Sequence, residues 1–430
     1  MSLLPNIVFA LILFSGVAFF LRNVSKLKRN IYLGKDVDTS GNTKLRWTNM
    51  AKIALGQGKM VRRPISGILH IIVYVGFVII NIEVLEIVID GLFGTHRIFS
   101  VIGPLYGVLI GVFEVLAALV FIAVVIFWFR RNVVKIQRFM KSEMKGWPKL
   151  DGNLILYFEI VLMGLFIIMN ATDVEFQSMN SGNVISQFFA PMFEGYNVHL
   201  IERVAWWVHI TGILVFLNYL YYSKHLHILL AFPNTYYGSV KPKGQLNNLE
   251  AVTNEVKLMM DPDADPYAAT AEDAAPPDKF GASDVQDLNW VQLLNAYTCT
   301  ECGRCTSECP ANQTGKKLSP RKIMMDTRDR LVEVGENIDA NNGEFKLDGK
   351  QLLGDYITNE ELWACTSCNA CVEACPVSID PLSIILEMRR YLVMEQSDAP
   401  MELNNMMSNI ENNGAPWPYN QMDRLNWKND

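Results

Sequence analysis

Cys299-Thr-Glu-Cys302-Gly-Arg-Cys305-Thr-Ser-Glu-Cys309-Pro310 and Cys365-Thr-Ser-Cys368-Asn-Ala-Cys371-Val-Glu-Ala-Cys375-Pro376 obey one rule, C-x2-C-x2-C-x3-C-P. This is the spacing by which one chain holds two [4Fe–4S] cubanes, the fourth cysteine of each run reaching across to the other cluster. Three closely spaced thiolates wrap three corners of a cubane, and the more distant fourth does not turn back to the same one. The pattern therefore assigns Cys299, Cys302, Cys305 and Cys375 to one cluster, and Cys365, Cys368, Cys371 and Cys309 to the other. Structural zinc usually takes paired knuckles of two ligands each, and disulfides require an oxidising compartment. All 8 cysteines lie in these two runs. The chemistry they announce is electron transfer.

Working outward, the 430 residues allow two or three domains. Half the residues are hydrophobic and only 19 % are charged, which is unusual for a soluble protein. The net charge of −6 averages a first half with basic loops and an acidic second half. The basic residues flank apolar stretches, so nothing points to nucleic acid.

Five apolar segments, roughly 5–22, 64–90, 101–129, 152–170 and 203–232, are each long enough to cross a ~30 Å hydrocarbon core as a helix. The first has the length of a signal peptide but lacks a basic leader and a small-residue cleavage site, so it is expected to stay as a span. Loop 23–63 carries Lys26, Lys28, Arg29, Arg46, Lys59, Arg62 and Arg63, and loop 130–149 carries Arg130, Arg131, Arg138 and Lys145. By the positive-inside rule the amino terminus is outside and the residues after the fifth helix are cytoplasmic, in a bacterial inner membrane. Residues 234–290, with Asp261-Pro-Asp-Ala-Asp-Pro266 and the later Ala-Ala-Pro-Pro-Asp, are predicted to be an extended acidic linker. Residues 291–395 form the cluster domain. Ser319-Pro320 opens a helix between the two cysteine runs, and residues 337–349 are expected to form a loop or short hairpin. Residues 396–430 are a polar tail with exposed-looking Met and Trp residues, predicted to dock a partner. The fold class that follows is all-α: a five-helix transmembrane bundle followed by an α-helical, ferredoxin-like domain with two [4Fe–4S] clusters.

All 6 histidines fall in the membrane half, where an ionisable side chain is a functional hypothesis. His70 lies near the cytoplasmic end of the second span, and His227 is at a matching depth on the fifth. Two antiparallel helices with one histidine each can supply both axial ligands of haem b. On the fifth helix, His209 shares the face of His227 five turns away. It reads either as a quinone-site residue or as a ligand of a second haem whose expected partner position holds Ile80. His225 points to the interface. Glu83 and Glu86, with Glu114 and Glu159, are candidate proton carriers beside the quinone. His96 and His199 read as loop residues.

Arg62-Arg-Pro-Ile-Ser-Gly-Ile-Leu-His70, Trp206-Trp-Val-His209 and Tyr222-Ser-Lys-His-Leu-His227 resemble the haem-bearing helices of the respiratory nitrate reductase gamma subunit. There the second helix carries two histidines, one more than here. Phe280-Gly-Ala-Ser-Asp-Val-Gln-Asp-Leu-Asn-Trp290, with the first cysteine run and its Cys309-Pro-Ala-Asn-Gln-Thr-Gly-Lys, resembles heterodisulfide-reductase-like membrane iron–sulfur oxidoreductases of the electron-transfer flavoprotein:menaquinone oxidoreductase type. The resemblance implies electron flow from reduced electron-transfer flavoprotein, through the clusters and haem b, to menaquinone. Members of that family continue into cysteine-rich domains with a Cys-Cys-Gly motif, which this sequence lacks; either a separate subunit, the expectation here, supplies that module or this version works without it. Two alternatives remain: a quinol oxidase that delivers electrons to a cytoplasmic disulfide or sulfur-carrier reductase, and a non-catalytic membrane anchor for a redox partner.

Overall fold

A computed structural model describes residues 3–242, 244–262 and 279–429. The described residues are helices and loops, with only two isolated bridges, Lys35 to Asn289 and Leu353 to Ile357, in place of strands. The architecture is all-α, with five long apolar helices ahead of the domain that carries the cysteines.

The five long helices are α1 (Leu4–Ile31), α2 (Pro64–Phe93), α3 (Pro104–Asn132), α4 (Trp147–Thr172) and α5 (Val198–Tyr219). Proline occupies the first turn of α1 to α4, where its missing N–H costs no hydrogen bond. Arg130 and Arg131 close α3, favourably placed at the negative end of its dipole. α4 packs between α3 and α5, α2 lies on α3, and α1 spans α2 and α5. Close approach sets this order: a Cβ on Gly76 of α2 would lie 2.4 Å from a methyl of Val120 on α3. Small residues permit such contacts where lipid supplies no hydrophobic drive. Val75, Val78, Ile82 and Leu85 of α2, and Val108, Val112 and Leu119 of α3, face outward, as lipid-facing residues must.

The fifth apolar segment is not one helix. It turns 3-10 over Leu220–Tyr222, passes through extended Ser223, and turns again over Lys224–Leu226 before α6 (His227–Tyr237) begins. Asp151 of α4 is buried in the break and accepts from Tyr219 Oη (2.6 Å), Ser223 Oγ (2.6 Å) and the Lys224 amide (3.2 Å). The freed Lys224 amide and the two hydroxyls beside it thus find a partner, as an interruption inside a bundle requires. Because the helix is interrupted between them, His209 and His227 do not share one helical face five turns apart, contrary to the expectation from spacing. Elsewhere α1 runs on to Ile31 and α4 starts earlier, at Trp147, whereas α3 starts later, at Pro104.

The second domain begins earlier than its composition indicated. Of the expected linker, 263–278 lies outside the described residues, and this includes most of the Asp-Pro run and all of Ala-Ala-Pro-Pro-Asp. Residues 279–290 belong to the cluster domain. Gly281, at φ +72°, lies so close to the chain at Glu387 and Tyr391 that a Cβ would meet the Glu387 carbonyl, and the Ala282 amide donates to that carbonyl at 3.0 Å. Asp284 receives the fully buried Arg330 at 2.8 Å, and Arg330 also meets Asp348 at 2.6 Å. Helix α7 (Trp290–Thr298), closed by an Asn289–Gln292 capping box, delivers Cys299. α8 (Pro320–Ala340) is capped by Ser319 and α9 (Pro381–Met394) by Asp380. α8 consumes the first part of the expected 337–349 loop. In the tail, α10 (Met401–Asn413) has no buried residue.

The basic loops that flank the spans are also docking surface. Lys26 and Arg29 bind Asp339, Asn30 donates to Tyr297 Oη (3.0 Å), Arg62 binds Glu373 (2.7 Å) and Arg63 binds Glu308 (2.9 Å). Arg321, fully buried, binds Glu143 at 2.7 Å and the Arg138 carbonyl at 2.7 Å. The cysteine-bearing domain is thereby held against the end of the bundle that carries His70 and His227.

Candidate metal centres

The two cysteine runs have the same local backbone. Helices Arg304–Glu308 and Ala370–Ala374 each carry a third cysteine and pack on one another. The residues on either side of the second cysteine take positive φ in both runs: Glu301 (54°) and Gly303 (71°) in the first, Ser367 (54°) and Asn369 (65°) in the second. Left-handed conformations at non-glycine residues are uncommon and gather at functional loops. Here they curl each run around the space its thiols face.

Cys299, Cys302, Cys305 and Cys375 line one small cavity, with Arg321 and Ile379 in its wall. Cys309, Cys365, Cys368 and Cys371 form the other group: Cys365 feels the charges of Cys309 and Cys368, and Cys371 those of Cys365 and Cys309. Each group combines three sulfurs of one run with the fourth of the other. Among the described residues, no three His, Cys, Asp or Glu side chains converge tightly enough to hold a single metal ion; a four-iron cubane needs a wider cage. Amides of Ser367 and Ile379 donate to Cys365 Sγ (3.4 Å) and Cys375 Sγ (3.3 Å), the kind of bond that tunes cluster potential. Burial pushes the Cys299 thiol up to about 12 and Cys375 up to about 11. Without iron these sulfurs keep their protons, so loading a cluster must release them. Each group has two buried cysteines, Cys299 and Cys375 in the first and Cys309 and Cys371 in the second; the groups differ in access only through Cys368, which is exposed.

Above the first group lie the two histidines. The rings of His70 and His227 stand 6.3 Å apart, centroid to centroid, and tilted by 40°. Two metal–imidazole bonds of about 2 Å, plus the depth of each ring, span about 6 Å. His227 Nδ1 lies 3.1 Å from the Lys224 carbonyl, which fixes that nitrogen as the donor and leaves Nε2 free, the usual arrangement of a ligating histidine. His70 Nδ1 is buried without a partner. The pair fits axial ligation of haem, and His70 and His227 are the side chains that would hold it.

The remaining sequence candidates part company. His209 is buried, its ring centroid 6.3 Å from that of Phe166, and neither ring nitrogen makes a well-formed hydrogen bond, although the Leu162 backbone lies beside the ring. Ile80 lies in the apolar core of that half of the bundle, so no ligand stands there. His225 packs on Phe216 at 5.3 Å rather than facing outward. Both oxygens of Glu86 are occupied, by the Phe99 amide (2.8 Å) and Tyr106 Oη (3.1 Å), while Glu83 keeps a buried oxygen without a partner. Glu114 accepts from Asn170 and the amides of Ile185 and Ser186, a structural role. His96 and His199 line a cavity at the far end of the bundle with Glu202, Trp206 and Trp207.

Charged groups that the cysteine spacing does not mark surround the first cysteine group. Arg304, inside the first run, donates to the carbonyls of Lys59 (3.2 Å) and Met60 (3.3 Å), just before α2 and His70. Glu301, between Cys299 and Cys302, is buried against Lys224 and Arg328. Burial would raise its carboxyl, but these two cations outweigh burial and hold it below the ordinary range. Spacing carries no signal for these contacts; only a charged residue inside a cluster loop hints at them.

The 4Fe-4S dicluster domain family matches residues 298–379. The chain is 29 % identical over 417 residues to the probable iron-sulfur-binding oxidoreductase FadF of Bacillus subtilis, covering 89 % of this chain and 54 % of that protein. It is 26 % identical over 408 residues to the EtfAB:quinone oxidoreductase of Syntrophomonas wolfei, covering 87 % and 52 %. A shorter match, 28 % over 154 residues, is to one subunit of the dihydromethanophenazine:CoB–CoM heterodisulfide reductase of Methanosarcina mazei, covering 35 % of this chain and 36 % of that polypeptide. The chain thus spans about half the length of the first two relatives. No solved structure matches. The first two relatives are named as oxidoreductases, the Bacillus one as iron-sulfur-binding, and this chain carries a 4Fe-4S dicluster domain behind five helices long and apolar enough to cross a membrane.

Proposed function

We propose that the chain carries electrons between a cytoplasmic donor and menaquinone, through two [4Fe–4S] clusters and one haem b. The observation that carries the reading is the facing pair His70 and His227 next to the group of Cys299, Cys302, Cys305 and Cys375, the two linked through Lys224 and Glu301. Electron-transfer flavoprotein is the proposed donor, in keeping with the Syntrophomonas relative's name. Haem, when bound, supplies a one-electron carrier inside the bundle. The protein's own contribution is to fix the imidazoles, hold each cysteine group in place and present Cys368 of the second group to solvent. Quinone binding is assigned to the His209 region, where an imidazole without a well-formed hydrogen bond, in an apolar core, offers one to a carbonyl. A cysteine-rich module of the Cys-Cys-Gly type is the proposed immediate partner. Residues 396–430, with Met401, Trp417, Met422 and Trp427 exposed, are its proposed landing surface. The clusters are assigned to the cytoplasmic face of a bacterial inner membrane.

The direct test is to purify the protein anaerobically in detergent, reduce it with dithionite and add a soluble menaquinone analogue. Reoxidation of a b-type spectrum together with the iron–sulfur absorption is expected; a preparation without haem overturns the reading. Likeness to heterodisulfide reductase favours a second reading, in which quinol is oxidised and a disulfide reduced. Haem reduction by a quinol, followed by electron delivery to a disulfide acceptor, would support that direction.

A further inference from the structure

Lys224 touches both redox regions at once. Its carbonyl sits 3.1 Å from Nδ1 of His227, and its ammonium binds Glu301 between Cys299 and Cys302 and the Pro148 carbonyl at 2.7 Å. Both side chains are nearly inaccessible, at 9 % and 2 % exposure. Glu301 is also held by Arg328 at 2.8 Å. A buried ion pair at this position is hard to explain by stability, since an apolar pair of similar volume would often do as well or better.

We propose that Lys224 and Glu301 are the positioning pair that couples the Cys299/Cys302/Cys305/Cys375 cluster to the iron held by His227, which makes that cluster the membrane-proximal carrier. The cluster of Cys309, Cys365, Cys368 and Cys371 is then the outward one, where the exposed Cys368 meets the soluble partner. With both groups bound, one electron would pass between the group held by Cys299, Cys302, Cys305 and Cys375 and the one held by His227, one losing the electron the other gains, with no bond or proton changing hands; Lys224 and Glu301 would hold the two sets of ligands in register. The reverse step obeys the same geometry, so the inference does not depend on the direction of flow. It rests on the proposed function in requiring both cofactors.

Two fixed charges of opposite sign next to one cluster give a test that misfolding does not mimic. Lys224→Met removes a positive charge and should lower the midpoint potential of the proximal cluster, whereas Glu301→Gln removes a negative charge and should raise it. Redox titration of the complete, membrane-extracted chain, followed by low-temperature electron paramagnetic resonance, reads both clusters, and optical titration reads haem. Lys224→Arg keeps the charge and should restore the wild-type values. The outward cluster should not move in any of the three variants, and Arg389→Gln, which frees the Cys365 carbonyl, should move only the outward one. Wild-type protein with both cofactors, but equal or absent shifts in the proximal cluster, overturns the inference alone. Wild-type protein without haem overturns the proposed function and the inference together. If Glu301→Gln fails to retain iron, the Lys224→Met and Lys224→Arg pair decides: a lowered and a restored value support the proposal, and two unchanged values overturn it.

Discussion

His70 of α2 and His227 of α6 face one another with ring centroids 6.3 Å apart, across a gap of the size that two metal–imidazole bonds would fill. His70→Ala and His227→Ala should each abolish the same b-type absorption, because one axial ligand rarely holds a low-spin haem. His209→Ala should leave that spectrum and slow turnover with a menaquinone analogue. Difference spectra of dithionite-reduced membranes check all three. A separate haem signal lost with His209 would mean a second haem.

The crossed cysteine groups predict about eight irons per chain beyond haem iron. Cys309→Ser should damage the cluster that otherwise rests on Cys365, Cys368 and Cys371, since this sulfur sits with theirs. Iron analysis and electron paramagnetic resonance decide the matter. Damage confined to the cluster of Cys299, Cys302 and Cys305 would show that the runs are not crossed.

Asp151 holds the break that aims His227. Asp151→Ala strips the acceptor from Tyr219, Ser223 and the Lys224 amide. With those donors orphaned, the segment gains by continuing as helix, which rotates His227 away from His70. Haem content should fall several-fold while both clusters persist; unchanged haem would show that the break stands without the carboxylate.

Glu143 and Arg321 tie the bundle to the cluster domain. Burial raises the Glu143 carboxyl, but the hydrogen bond and charge of Arg321 outweigh it and leave it below its ordinary value of 4.5. A depressed carboxyl contributes stability that is present above 4.5 and lost as pH falls through its lower folded value. Glu143→Gln should remove that contribution at neutral pH, at about 3 kcal/mol for a buried cation left unpaired. Thermal loss of cluster absorbance, compared between wild type and variant at pH 7, measures it. An unchanged transition would reduce the pair to a surface contact.

Arg330→Met isolates the cluster domain from the bundle. The substitution leaves Asp284 and Asp348 without the cation they share, and about 3–5 kcal/mol should be lost. Urea should bleach the iron–sulfur absorption at lower concentration while the haem spectrum holds. Loss of both signals together would show that the two parts unfold as one unit.

Sequence alone determined the elements whose cause is local. A run of some twenty apolar residues has to cover its own backbone polar groups, so five spans were legible from composition. The C-x2-C-x2-C-x3-C-P spacing was legible because thiolates that wrap one cubane must lie close in the chain. Ser319 before Pro320 named the start of α8 for the same reason, since a cap acts within one turn. What tertiary structure alone decided depends on partners distant in sequence. The fifth span breaks at Ser223 because Asp151, 72 positions earlier, accepts its hydroxyl, and no pattern within the span records that. Residues 279–290 read as linker because their polarity is satisfied from outside: Arg330, 46 positions on, takes Asp284. The contact of Lys224 with Glu301 bridges 77 positions and two domains. A buried charge is stable only where its counter-charge arrives by folding, and a one-dimensional reading has no access to that arrival.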